Sequence, residues 1–261
     1  MKKLIYFTIG NNINYLKILK VCIDSLKKTD YDGDILFITE FENQIRENIE
    51  LDNCYFLNMG STDTLSAASN KLKIYLYENI HSYDKFIYCD LDTIWIKSPN
   101  ILFDSIEENK IYLSSDYNIW AQRMKMNFEN LLMSHDFWSG DLLNDNEIKY
   151  IENNNITGFN SGFFAFNISM INTIKEIDEF LIQNLRYFSC LEQPYVNVFL
   201  LRNGLYDSSL NKYISHMGNN YVIEDFEDFK KTGVLLHFAA GIGDVDFKYN
   251  NMMKFIDTNE K

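Results

Sequence analysis

The sequence is short of proline, with 2 in 261 residues, and carries only 11 glycines. That scarcity excludes a Pro/Gly-rich linker between domains. Internal repeats and long low-complexity tracts are absent, and Asn-rich patches such as "ENNNIT" read as loops. The four cysteines (Cys22, Cys54, Cys89 and Cys190) are scattered through apolar stretches without a C-x-x-C pair. They read as reduced thiols, which excludes a disulfide frame and a cysteine zinc site. No apolar run reaches about 18 residues, so no membrane span is expected. The opening run "LIYFTIG" is too short for a signal-peptide core and no cleavage site follows it. A soluble, cytoplasmic protein is therefore expected. Positive charge is scarce too: 24 Lys and Arg stand against 37 Asp and Glu, a net charge of −13. Neutralising a phosphate backbone needs a basic face, so no nucleic acid partner is expected. A phosphorylated small molecule would need a metal or local lysines to offset the field.

What is abundant is apolar surface. The chain is 46% hydrophobic and 15% aromatic, enough for a packed core in one large domain or a domain with an added lobe. "KLIYFTIG" is a continuous apolar run ending at Gly10, the signature of a strand covered on both faces. "NYLKILKVCIDSLKK" follows, with Leu16, Leu19, Ile23 and Leu26 at helical spacing. "GDILFITE" and "CYFLNM" read as strands around a short helix at "ENQIREN", and "SAASNKLKIYLYENI" reads as a helix with a Ser start. "DKFIYC" is the next strand. The alternation is that of a doubly wound α/β sheet, where ligands bind beyond the carboxyl ends of the strands. Later, "KIYLSSD", "GFNSGFFAFNIS" and "VLLHFAAG" read as strands, and residues 123 to 155 as helices and loops. "SMINTIKEIDEFLIQNLRYF" reads as an amphipathic helix capped by Ser169, and "EQPYVNVFLL" as a helix with Pro194 in its first turn.

The strand "FIYC" runs straight into Asp90-Leu91-Asp92. Two carboxylates one residue apart repel each other and lose solvation if covered. The residues alone leave three readings open. The pair is a solvated strand end; or it is a nucleophile and proton carrier, since "DLDT" resembles the D-x-D-x-T of haloacid-dehalogenase-type phosphatases and Asp141 and Asp145 resemble their later metal acids; or it holds a divalent cation against a diphosphate. About 85 residues of strand–helix units precede the pair, whereas that phosphatase family opens with it.

Four stretches in order make the chain similar to glycosyltransferase family 8, which includes glycogenin and bacterial lipopolysaccharide galactosyl- and glucosyltransferases. "NKLKIYLYENIHSYDKFIYCDLDTIWIKSPNILF" resembles that family's D-x-D region, "FNSGFFAFN" its N-[AS]-G strand, "EQPYVN" its D-Q-x-x-x-N helix start, and "LLHFAAG" its H-[FY]-x-G strand end. The resemblance covers roughly residues 3 to 241. It implies one glycosyltransferase-A domain, a mixed twisted sheet flanked by helices, over residues 1–261. Residues 1–97 would form the nucleotide half, 98–241 the donor-sugar and acceptor half, and 242–261 a tail. The implied reaction is metal-dependent transfer of glucose or galactose from a UDP-sugar to a hydroxyl of a glycan or protein acceptor, with retention at the anomeric carbon.

The resemblance also implies roles. Asp90, Asp92 and His237 would hold Mn²⁺ or Mg²⁺, with Asp90 and Leu91 also near the donor. Thr8, Ile9, Asn12 and Tyr15 would receive the nucleotide base, Tyr15 by stacking on the uracil or by ordinary helix packing. Lys73 would meet the donor sugar or the diphosphate, with Lys71 as the alternative, because the leaving group gains charge. Asn160 and Ser161 would bind sugar hydroxyls. Gln193 would lie beside the anomeric carbon and Glu192 would stand where the family has Asp. Gly241 would close the late strand. One departure concerns the tail: the family places Lys-Pro-Trp after its His-x-x-Gly, whereas this chain reads "HFAAGIGDVDFKY". Lys248 comes late, and Asp244 and Asp246 intrude where a diphosphate lysine is expected. That departure raises a second possibility, a binding protein that kept the fold and lost turnover. Acceptor contacts are expected on the loops of residues 117 to 157.

Overall fold

The computed structural model describes residues 1–115, 142–154, 156, 158–185, 191–216, 226–239 and 244–259. Its centre is a seven-stranded mixed sheet in the order β3-β2-β1-β4-β7-β6-β8. The strands are β1 (Lys3–Ile9), β2 (Asp34–Thr39), β3 (Cys54–Asn58), β4 (Lys85–Cys89), β6 (Ile111–Ser115), β7 (Phe159–Asn167) and β8 (Tyr206–Asp207). β3, β2, β1 and β4 run parallel; β7 lies antiparallel between β4 and β6. A second, three-stranded sheet has the order β5-β10-β9, from β5 (Thr93–Trp95), β9 (Ile214–His216) and β10 (Leu235–His237).

The alternation of each strand explains the two-layer cover. Ile5, Phe7, Ile87 and Cys89 point to one side, where they pack with α1 (Leu16–Lys27) and residues of the second sheet. Leu4, Tyr6, Phe86 and Tyr88 point to the other, where they meet α6 (Ile171–Gln183) and α7 (Gln193–Asn203). Aromatic rings fill this second layer: Phe166 stacks on Phe86 at 5.0 Å between centroids and meets Tyr6 edge-on at 6.5 Å. Truncating one such buried ring costs about 3–5 kcal/mol.

Two local expectations are corrected. The stretch after Ser66 is not one α-helix. A short α3 (Thr64–Ser69), capped by Asp63 in a capping box, tightens into a 3-10 helix over Asn70–Leu76. Within it Asn70, Lys71, Leu72 and Ile74 are buried, while Leu76 is exposed. Ser169 is not the cap of α6. A 3-10 turn, Ile168–Met170, intervenes, and the Asn167 side chain accepts from the Ser169 amide. The remaining described helices are α2 (Glu42–Asn48), α4 (Asn100–Ser105), α5 (Asp145–Asn153), α8 (Phe226–Thr232) and α9 (Val245–Asn259).

Strand pairing assembles the pocket. Cys89 lies opposite Phe163, and the Asp90 amide donates to the Gly162 carbonyl at 2.8 Å, so the entry of β7 sits beside the end of β4. β10 pairs with β5 so that His237 faces Thr93, and the Phe238 amide donates to the Asp92 carbonyl at 2.8 Å. Segments far apart in sequence thus meet at the carboxyl edge of the sheet.

Candidate active site

A pocket of about 360 Å³ opens at that edge. One wall comes from the end of β1 and the turn after it: Thr8, Ile9, Asn12 and Tyr15. Asn12 caps the 3-10 turn Ile13–Tyr15 by accepting from the Asn14 amide, and Tyr15 is half-buried against the core. The floor is Asp90, Leu91 and Asp92. The opposite wall carries Asn160, Ser161, Glu192 and Gln193, and the rim adds Lys71, His237 and Lys248. Lys73 does not line the pocket. It turns outward to Asp178 at 3.4 Å, and Lys71, two residues earlier, points in. Gly241 lies outside the described residues, as do Asp141 and most of the expected acceptor loop.

The two acids are held differently from a solvated strand end. Asp92 is 3% exposed. Each carboxylate has one oxygen anchored and one turned to a common centre. Asp90 Oδ1 accepts a short hydrogen bond from the Tyr88 hydroxyl, and Asp92 Oδ2 is ion-paired with Lys248. Asp92 Oδ1 lies 3.3 Å and Asp90 Oδ2 3.7 Å from His237 Nε2, and the three ligand atoms are within 4.8 Å of one another. Burial works against the Asp92 charge, but the Lys248 ammonium and the His237 ring outweigh it and hold the carboxyl well below the ordinary range. Burial would likewise lower Lys71 and Lys248; their carboxylate partners reverse this and raise both.

Gly162 is required at this centre. A Cβ there would lie 2.2 Å from His237 Cε1 and 2.7 Å from Asp90 Oδ2. The donor set fits a hard divalent ion. Two carboxylate oxygens and one imidazole nitrogen, all within 4.8 Å of one another, are the ligand types and the spacing that one divalent ion can gather. Tyr88 and Lys248 supply the outer hydrogen bonds that orient such ligands.

Around the wall of Asn160, Ser161, Glu192 and Gln193 the polar groups are already engaged. The Ser161 amide donates to Gln193 Oε1 at 3.0 Å, and Ser161 Oγ donates to Glu192 Oε1 at 2.6 Å. Lys71 Nζ meets Glu192 Oε1 at 2.6 Å, the Ser161 carbonyl at 3.0 Å and Asp90 Oδ1 at 3.5 Å. Asn160 Oδ1 accepts from the Gly162 amide at 2.7 Å. Asn197, four residues along α7, clamps both backbone groups of Phe159, donating at 2.9 Å and accepting at 2.7 Å. These bonds fix α7 to β7.

Asp244 and Asp246 are corrected as intruders. Both are exposed: Asp244 accepts from the Phe247 amide at the start of α9, and Asp246 pairs with Lys17. Helix α9 returns Lys248 to the pocket. Sequence reading missed Tyr88, although its signal was present: two residues before Asp90 on a strand is the same face.

The fold is of the glycosyltransferase-A type: a central mixed sheet with flanking helices and its pocket at the carboxyl edge. No protein-family model matches the chain, and no curated protein matches it. Solved structures that share the fold include three glycosyltransferases. The bifunctional glycosyltransferase WbbM aligns over 100% of this chain at 14% identity and a TM-score of 0.57. GlyE of Streptococcus pneumoniae TIGR4, a glycosyltransferase, aligns over 100% at 12% identity and 0.59. Mouse xyloside xylosyltransferase 1 aligns over 92% at 11% identity and 0.52, with 98% of its own chain covered. The chain spans 52% of the WbbM chain and 64% of the GlyE chain. Among the described residues, no helix is long and apolar enough to cross a membrane.

Proposed function

We propose that this protein is a glycosyltransferase that moves a hexose, glucose or galactose, from a UDP-sugar to a hydroxyl of a glycan or protein acceptor, as family 8 enzymes do. The observation that carries the reading is the convergence of Asp90 Oδ2, Asp92 Oδ1 and His237 Nε2 on one point while their partners hold the outer oxygens. Mn²⁺ or Mg²⁺ held there would offset the charge that gathers on the departing diphosphate. Residues 1–97 serve the nucleotide, 98–241 the sugar and acceptor, and the tail 242–261 carries Lys248 into the pocket.

Within that assignment, Thr8, Ile9, Asn12 and Tyr15 receive the base and ribose. Lys71 and Lys248 lie on either side of the paired acids and meet the diphosphate oxygens, which charge-assisted hydrogen bonds favour. Asn160 and Ser161 face the sugar hydroxyls. Front-face attack, which keeps the anomeric configuration, is the route we favour because Gln193 is neutral and weakly nucleophilic and its amide oxygen already accepts from the Ser161 amide. Glu192 is also engaged, by Lys71 and Ser161. The acceptor oxygen then bonds the anomeric carbon as the bond to the diphosphate breaks, and the departing diphosphate takes the acceptor proton.

The phosphatase-like alternative has no support from the geometry. Its nucleophile would end the first strand, whereas Asp90 ends β4, and Asp145 heads α5 without lining the pocket. The binding-only alternative loses its motive because Lys248 reaches the pocket despite the altered tail. Calorimetric titration with UDP tests the proposal. UDP should bind in Mn²⁺, and Asp92→Asn should cost several kcal/mol of that binding, roughly the scale of a lost charged metal ligand. Equal UDP affinity in Mn²⁺ and in EDTA would overturn it.

A further inference from the structure

Three carboxylates surround the floor of the pocket (Asp90, Asp92 and Glu192), and two lysines are paired with them. The three carboxylates and two ammonium groups sum to one net negative charge. A dication added alone turns that excess positive, inside walls where charges interact more strongly than in water. A doubly charged diphosphate restores the balance. The two lysines therefore oppose the cation alone and favour the cation with its anionic partner.

Lys248 is the member that can tune this. Its described ion pair is with Asp92 alone, on the oxygen turned away from His237. Lys71, by contrast, is caged by Glu192, the Ser161 carbonyl and the rings of Tyr88 and Phe164. The cation can bind Asp92 Oδ1 while Lys248 stays on Oδ2. Its ammonium then remains beside the cation and lowers the charge that Asp92 presents.

We propose that Lys248 pre-neutralises Asp92, so that the divalent cation binds weakly by itself and is taken up together with the nucleoside diphosphate. The inference rests on the metal reading proposed above. The coupling is reciprocal, since whatever factor UDP adds to cation affinity the cation adds to UDP affinity. Anchoring of Asp92 by Lys248 works the other way and helps the cation. The charge term dominates because the ammonium and the cation share one carboxylate.

The test is Mn²⁺ binding to the full chain, read by electron paramagnetic resonance, with and without saturating UDP. In Lys248→Gln, Mn²⁺ alone should bind about tenfold tighter, and the gain on adding UDP should shrink by a similar factor. Lys248→Arg keeps the charge and should hold both values near wild type. Lys248→Met serves as a second neutral variant where Lys248→Gln does not fold. Unchanged or weaker Mn²⁺ binding in a folded neutral variant, with wild-type protein binding Mn²⁺, overturns the inference and leaves the metal reading standing. No Mn²⁺ binding by wild type, with or without UDP, overturns both.

Discussion

Two lysines line the same pocket, and they are held in different ways. Lys71 arrives on a 3-10 turn and is 3% exposed, with Glu192, Asp90, a backbone carbonyl and two aromatic faces around it. Lys248 arrives on α9, is 9% exposed and pairs with Asp92. Both offset buried carboxylates, yet only the first is locked by several bonds at once. A charge held by many partners keeps its place whatever binds beside it; a charge held by one partner is set by that partner. The acidic chain thus spends its few cations where acids converge.

Breaking the caged side should have the largest effect. Lys71→Met leaves Glu192, itself 2% exposed, without its cation. Removing one partner of a buried pair costs about 3–5 kcal/mol. Urea denaturation should show that loss in the absence of any ligand; a change under about 1 kcal/mol would mean that the Lys71–Glu192 pair does not hold the fold. Gly162→Ala comes next. The added methyl would press on His237 and Asp90, and relief of such overpacking costs about 1–3 kcal/mol. Mn²⁺ affinity in the presence of UDP should fall with it, since the ligands must move; retained affinity would show that the three atoms do not act as one set. Asp246→Asn sharpens the comparison from the other end. The acid is exposed and pairs with Lys17 on the surface, so stability and UDP binding should shift by less than about 0.5 kcal/mol. A several-fold tightening of UDP would restore Asp246 to the pocket's field.

Much of this was legible before the fold was seen. Continuous apolar runs located β1, β2 and β4 because strands covered on both faces have no polar alternation to confuse. Asp90, Asp92, His237 and Asn160 are brought to one pocket by strand ends that the runs mark, and Gln193 joins them from the start of α7. Strands as short as β8, at two residues, and β9, at three, carry no readable period. The resemblance points to Lys73 with Lys71 as the alternative, and the 3-10 turn brings Lys71 to the pocket and Lys73 to Asp178. Lys248 looked displaced because spacing along the chain does not tell where a helix folds back. Its partner Asp92 is 156 residues away in sequence.

The most direct measurement of the central claim is donor hydrolysis. Incubated with UDP-glucose or UDP-galactose in Mn²⁺, the protein should release UDP, and both EDTA and Asp92→Asn should abolish the release. Release of UDP at an unchanged rate in EDTA, or by Asp92→Asn, would contradict the account.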